Sequence, residues 1–113
     1  MESHNLKTLS EIYTILNKRG VTKEIRMNEE KQMVLGNNEK IYEPEQLTII
    51  KAYRFEGDSS PDDNAVLYLI VDEDEQMFTL LDSYGADSNY SGEEFDNFVR
   101  RIHVQERSEF DFN

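Results

Sequence analysis

Leu47-Thr48-Ile49-Ile50-Lys51-Ala52-Tyr53-Arg54-Phe55-Glu56, Gly57-Asp58-Ser59-Ser60-Pro61-Asp62-Asp63-Asn64 and Ala65-Val66-Leu67-Tyr68-Leu69-Ile70-Val71 follow one another without a break, and their reading decides the fold. The first segment carries the β-branched and aromatic residues that suit a pleated surface. The second gathers nearly every turn-forming residue type. The third is a near-continuous apolar run, which predicts a strand buried on both faces and so central in its sheet. Asp72-Glu73-Asp74-Glu75 then breaks the pattern as a charged turn, and Gln76-Met77-Phe78-Thr79-Leu80-Leu81-Asp82-Ser83-Tyr84-Gly85 closes the set as a further strand. No helix-length segment separates these strands, which predicts antiparallel hairpin neighbours.

Working outward, Thr8 with Glu11 three residues later is a capping box. Leu9, Ile12, Tyr13 and Leu16 form one helical stripe, Lys18 and Arg19 complement the negative end of the helix dipole, and Gly20 suits the position just past its end. A helix over 8–19 follows. Val21, Lys23, Ile25 and Met27 alternate with Thr22, Glu24 and Arg26, the period of a half-buried strand. Asn28-Glu29-Glu30-Lys31 is a turn, Gln32-Met33-Val34-Leu35 its returning partner, and Pro44 suits the opening of a single helical turn. Ser91 with Glu94 is a second capping box. Phe95, Phe98, Val99 and Ile102 form the stripe of a second helix, with Arg100, Arg101 and His103 at its end.

The expected fold is α+β. It is a two-layer sandwich in which an antiparallel meander of about five strands carries the N-terminal and C-terminal helices on one face. Residues 1–7 read as a loose lead-in, 8–103 as a single domain and 104–113 as a flexible acidic tail.

The chain has 113 residues, with 24 Asp and Glu against 12 Lys and Arg, a formal charge of −12. Such a chain repels phosphate backbones and anionic membrane surfaces, so neither nucleic acid nor membrane is expected as a partner. Cysteine is absent, which excludes disulfides, thiol catalysis and cysteine zinc sites. No basic-then-apolar leader opens the sequence and no apolar run reaches the roughly 20 residues of a membrane helix. The cytoplasm is the expected location.

Three features invite a functional reading. Glu56, Asp58, Asp62 and Asp63 place oxygen donors close together on one loop, with Asp82 as a further donor, and could hold calcium or magnesium. Against this, the spacing is not that of an EF-hand, and Asp and Asn serve turns by bonding their own backbone, which is the weightier account. Tyr53, Phe55, Tyr68, Phe78 and Tyr84 could offer an aromatic sheet surface to a partner protein, with core packing as the plain alternative. His4 and His103 stand beside no serine or carboxylate constellation, so no catalytic residue is assigned. The apolar strands carry more hydrophobic surface than one helix-covered face can hold. The open face would then pair with a partner or form a homodimer, unless the connections at 37–46 and 86–90 fold over it.

Residues Tyr53-Arg54-Phe55-Glu56-Gly57, Pro61-Asp62-Asp63-Asn64-Ala65-Val66-Leu67-Tyr68 and Leu81-Asp82-Ser83-Tyr84-Gly85 resemble the pattern of a family of small bacterial proteins, mainly of Bacteroidetes, many labelled phosphoribosylpyrophosphate synthetase. The resemblance extends over most of the chain and is specific across 53–85. It would imply a role in nucleotide metabolism. Val71-Asp72-Glu73-Asp74 is superficially like the apolar strand and acids of a ribose-phosphate site. No glycine-bearing phosphate loop follows, so no catalytic residue carries over. The expected function is a non-enzymatic interaction or regulatory domain. The alternatives are a cation- or small-ligand-binding protein and, last, an accessory enzyme of nucleotide metabolism.

Overall fold

The computed structural model describes residues 8–36, 40–55, 65–83 and 93–111. Within them the order is α1 (Leu9–Lys18), β1 (Ile25–Met27), β2 (Met33–Leu35), β3 (Lys40–Tyr42), β4 (Thr48–Phe55), β5 (Ala65–Val71), β6 (Met77–Ser83), α2 (Glu93–Arg101) and β7 (His103–Val104). Single 3-10 turns lie at Pro44–Gln46 and Ser108–Phe110. The fold is α+β, but the strands form two sheets instead of one meander. One is β1-β2-β3, and the other has the order β6-β5-β4-β7. All pairings are antiparallel except β4 with β7, which α2 lays parallel to β4 by crossing the sheet. A parallel bridge between Glu24 and Thr79 joins the two sheets, with the Thr79 N–H donating to the Lys23 carbonyl at 3.0 Å.

α1 forms as its signals dictate. Thr8 Oγ1 accepts from the Glu11 N–H at 3.2 Å, and Glu11 Oε1 accepts from the Thr8 N–H at 2.8 Å. At the other end Val21 N–H donates to the Leu16 carbonyl and Gly20 N–H to that of Asn17. This is a Schellman motif, and Val21 and Leu16 share the same buried cluster. Gly20 has φ +91°, and an added Cβ there would meet nothing within 4 Å. Gly20→Ala is therefore expected to cost about 1 kcal/mol from backbone conformation alone. Urea denaturation checks this, and an unchanged midpoint would contradict the left-handed cap. Pro44 opens its predicted turn, where Gln46 Oε1 accepts from the Glu43 N–H at 2.7 Å.

Two turns are built alike. In Asn28-Glu29-Glu30-Lys31-Gln32 the Asn28 Oδ1 accepts from the N–H groups of Glu30 and Gln32. In Asp72-Glu73-Asp74-Glu75-Gln76 the Asp72 Oδ1 accepts from those of Asp74 and Gln76. Lys31 and Glu75 each take φ +65°, so the fourth residue turns left-handed and the strands rejoin in register.

The helices take opposite faces of the four-stranded sheet, not one. On the α1 face, Ile12 and Leu16 pack with Ile50, Tyr53, Leu67, Leu69, Val71 and Phe110. On the α2 face, Phe95 and Ile102 pack with Ile49, Ile70, Phe78, Leu80 and, from the small sheet and its exit, Ile25, Met33, Tyr42 and Leu47. β5 dictates this division, because its apolar residues alternate between both faces and each face needs cover. The phase of β4 also changes midway. Ile49 pairs with Ile70 and Lys51 with Leu69, so Ile50 is the extra residue of a β-bulge. Leu47 and Ile49 consequently face α2, whereas Tyr53 and Phe55, expected beside them, face α1.

Among the described residues the face expected to stay bare is covered within one chain, since both faces of the four-stranded sheet pack into buried clusters. Among the described residues the exposed large hydrophobic side chains are Ile41 and Val104. The expected acidic tail is also corrected as far as Asp111. Gln105 and Arg107 donate backbone hydrogen bonds to the carbonyls of Ile49 and Ile50 at 2.9 Å each, and Phe110 is 3% exposed. The bulge at Ile50 gives that segment its partners. Lys51 on the same face ion-pairs with Glu106 at 3.2 Å and with Asp111. These contacts, Asp111 foremost, raise the Lys51 pKa. Residues 1–7 lie outside the described residues, as do Ser91 of the second capping box and 86–90.

Candidate acidic pocket between α2 and the sheet

The aromatic candidates separate by burial. Tyr53 and Phe78 are core residues and present no surface to a partner, which corrects their reading as interaction residues. The Tyr53 hydroxyl donates to the Phe110 carbonyl at 2.7 Å, and the Phe78 ring packs against Tyr42 at 5.4 Å between centroids. Phe55 is half-buried at the margin of the α1-side cluster. Tyr68 is half-buried on the α2 side. Glu56, Asp58, Asp62, Asp63 and Tyr84 lie outside the described residues. Among the described residues no three His, Asp or Glu side chains are grouped so as to hold a metal ion, and no helix is long and apolar enough to cross a membrane. His103 is exposed and begins β7 instead of ending α2.

The turn at 72–76 is only partly the solvated loop its composition suggests. Glu73, Asp74 and Glu75 are exposed, but Asp72 is 6% exposed and accepts from the Tyr42 hydroxyl at 3.0 Å through its second oxygen. Burial first, and this contact second, push the Tyr42 pKa up. Asp72 is thus a structural anchor with its acceptors filled.

Asp82 is different. On β6 it opposes Val66 and continues the inward row of Phe78 and Leu80 toward α2. It is 9% exposed, and no donor among the described residues reaches its carboxylate. It lines a cleft of about 230 Å3 with Tyr68 of β5 and with Phe95, Asp96, Val99 and Arg100 of α2. Asp96 and Arg100 are one helical turn apart and so share a face of α2. Burial chiefly, and then the charge of Asp96, raise the Asp82 pKa from its ordinary value.

The raised pKa fixes the sign of a pH effect. In the unfolded chain Asp82 titrates near an ordinary aspartate, at about 3.9. The folded protein holds the proton more tightly, so this contribution to stability is complete below that value and is lost as pH rises through the folded pKa. Asp82→Asn, which cannot ionise, should therefore gain in melting temperature relative to the parent between about pH 3 and pH 7. Thermal denaturation across that range checks it, and a difference that does not change with pH would contradict it.

The sequence points to Asp82 and Tyr68 separately. Their juxtaposition, and the part played by Asp96, come from packing α2 across the sheet, which no local pattern encodes. Comparison of the chain with protein-family profiles, curated proteins and solved structures gave no match.

Proposed function

We propose that the chain is a non-catalytic interaction module that recognises a lysine side chain of a partner protein in the Asp82 pocket. The observation that carries this reading is a carboxylate at 9% exposure, without a hydrogen-bond donor among the described residues, beside a second carboxylate. A buried carboxylate in that state is costly, and a cation supplies what it lacks. At about 230 Å3 the cleft is smaller than the roughly 300–1,000 Å3 typical of small-molecule sites, and it suits one side-chain end. Phe95, Val99 and the Tyr68 ring offer apolar contact to a methylene stem while the ammonium reaches Asp82 and Asp96. The formal charge of −12 draws a basic partner by long-range attraction.

Isothermal titration with a lysine-containing peptide and its Nε-acetylated form tests the proposal. The unmodified peptide should bind, the acetylated one should not, and Asp82→Asn should weaken binding by at least about tenfold. Affinity should rise with pH as Asp82 gives up its proton to accommodate the ammonium. Equal binding of both peptides, or an unchanged affinity in Asp82→Asn, would refute it.

A further inference from the structure

Thr79 occupies the opposite face of β6 from Asp82. It pairs with Leu69, in the row that faces α1, and is 3% exposed. Its backbone N–H bonds the Lys23 carbonyl, but its hydroxyl has no hydrogen-bond partner among the described residues. A buried hydroxyl left unpaired costs free energy and calls for an explanation.

Thr79 lines a recess of about 460 Å3, within the usual range for a small-molecule site, where α1 passes over the seam between the two sheets. Glu24 also lines it. One of its oxygens accepts from the Tyr13 hydroxyl at 3.3 Å, and the other has no donor among the described residues. The side-chain amide of Asn17, from the last turn of α1, adds a donor and an acceptor without partners among the described residues. Val21 and Leu35, both buried, and the half-buried Tyr13 ring supply the apolar wall.

We propose that this recess binds a small neutral polyhydroxyl ligand of the sugar or sugar-alcohol class. A ligand hydroxyl both donates and accepts, so it can serve the Thr79 hydroxyl, donate to Glu24 and engage both groups of the Asn17 amide. A carboxylate ligand cannot donate to Glu24, and an ammonium cannot accept from the Asn17 amide. Lys23 and Glu24 flank the recess with opposite charges, so no net charge favours an ionic ligand. The Tyr13 ring and Leu35 suit the C–H face that a sugar ring presents opposite its hydroxyls. The recess lies on the other side of the sheet from the Asp82 pocket, so the two sites stand or fall separately.

The test is a 15N–1H NMR titration of the full chain with D-glucose, D-galactose, D-fructose and D-sorbitol, each added singly to roughly 100 mM, a range that reports millimolar dissociation constants. At least one should give saturable shifts at the amides of Lys23, Glu24, Gly36 and Thr79. Thr79→Val, which keeps the shape and removes the hydroxyl, should weaken that binding roughly tenfold, and Thr79→Ser should retain it. If Thr79→Val does not fold, Asn17→Ala on the exposed side of α1 carries the same expectation. Acetate and methylammonium should give no saturable shift, and Asp82→Asn should leave sugar binding unchanged. Non-saturating shifts with all four compounds, or saturable binding unaffected in the folded variant, would overturn the assignment.

Discussion

Phe110→Ala is expected to remove about 3 to 5 kcal/mol of stability, the loss typical of truncating a buried aromatic ring. Phe110 stands outside any periodic pattern, in a polar and acidic segment that composition alone would leave loose. In the fold its ring closes the α1-side cluster against Ile12, Leu16 and Ile50, and the Arg19 guanidinium lies 5.7 Å from its centroid. Its carbonyl accepts from the buried Tyr53 hydroxyl at 2.7 Å, so a ring that no longer anchors the segment also endangers that hydrogen bond. Small domains hold only about 5 to 15 kcal/mol in total, so the variant should be near its unfolding threshold. Equilibrium urea unfolding measures this. A loss below about 1 kcal/mol, the scale of a surface substitution, would mean that the C-terminal segment is not docked.

Asp72→Ala should cost a similar amount, about 3 to 5 kcal/mol, for a different reason. One buried carboxylate accepts from the Tyr42 hydroxyl at 3.0 Å and from the N–H groups of Asp74 and Gln76 at 2.9 Å each. Alanine leaves a hydroxyl stranded on a side chain 2% exposed and unties the β5–β6 turn. Asp72→Asn should be much milder, below about 1.5 kcal/mol, because its oxygen can still hold both N–H groups. Asn28 does this at the matching turn of the small sheet. The same denaturation experiment compares the two variants. Equal losses for alanine and asparagine would show that the turn does not depend on that oxygen.

These two residues mark what the sequence makes legible. Local signals read well. The capping box at Thr8 and Glu11, the glycine stop at Gly20, the Pro44 turn and the centrality of β5 all follow from spacing and residue type, and all are present. Asp82 could be read as inward-facing because it shares the period of Phe78 and Leu80. What was illegible depends on contacts distant along the chain. The apolar pattern of β5 shows that both faces need cover without saying which helix goes where. A bulge at Ile50 reverses the phase of β4, and no residue type announces it. The burial of Thr79 depends on residues 22–24 passing along the β6 edge, and that of Phe110 on the pairing of residues 105 and 107 with β4. The candidate pocket shares this origin, since Tyr68 and Asp82 meet Asp96 only when α2 crosses the sheet.

The most direct test of the Asp82 pocket is a 13C NMR titration of the Asp82 side-chain carboxyl, with and without the lysine-containing peptide. In the free protein the carboxyl should titrate above the ordinary aspartate value, and saturating peptide should bring its pKa down as the ammonium stabilises the charged form. An Asp82 that titrates as an ordinary exposed aspartate, with no response to the peptide, would contradict the account.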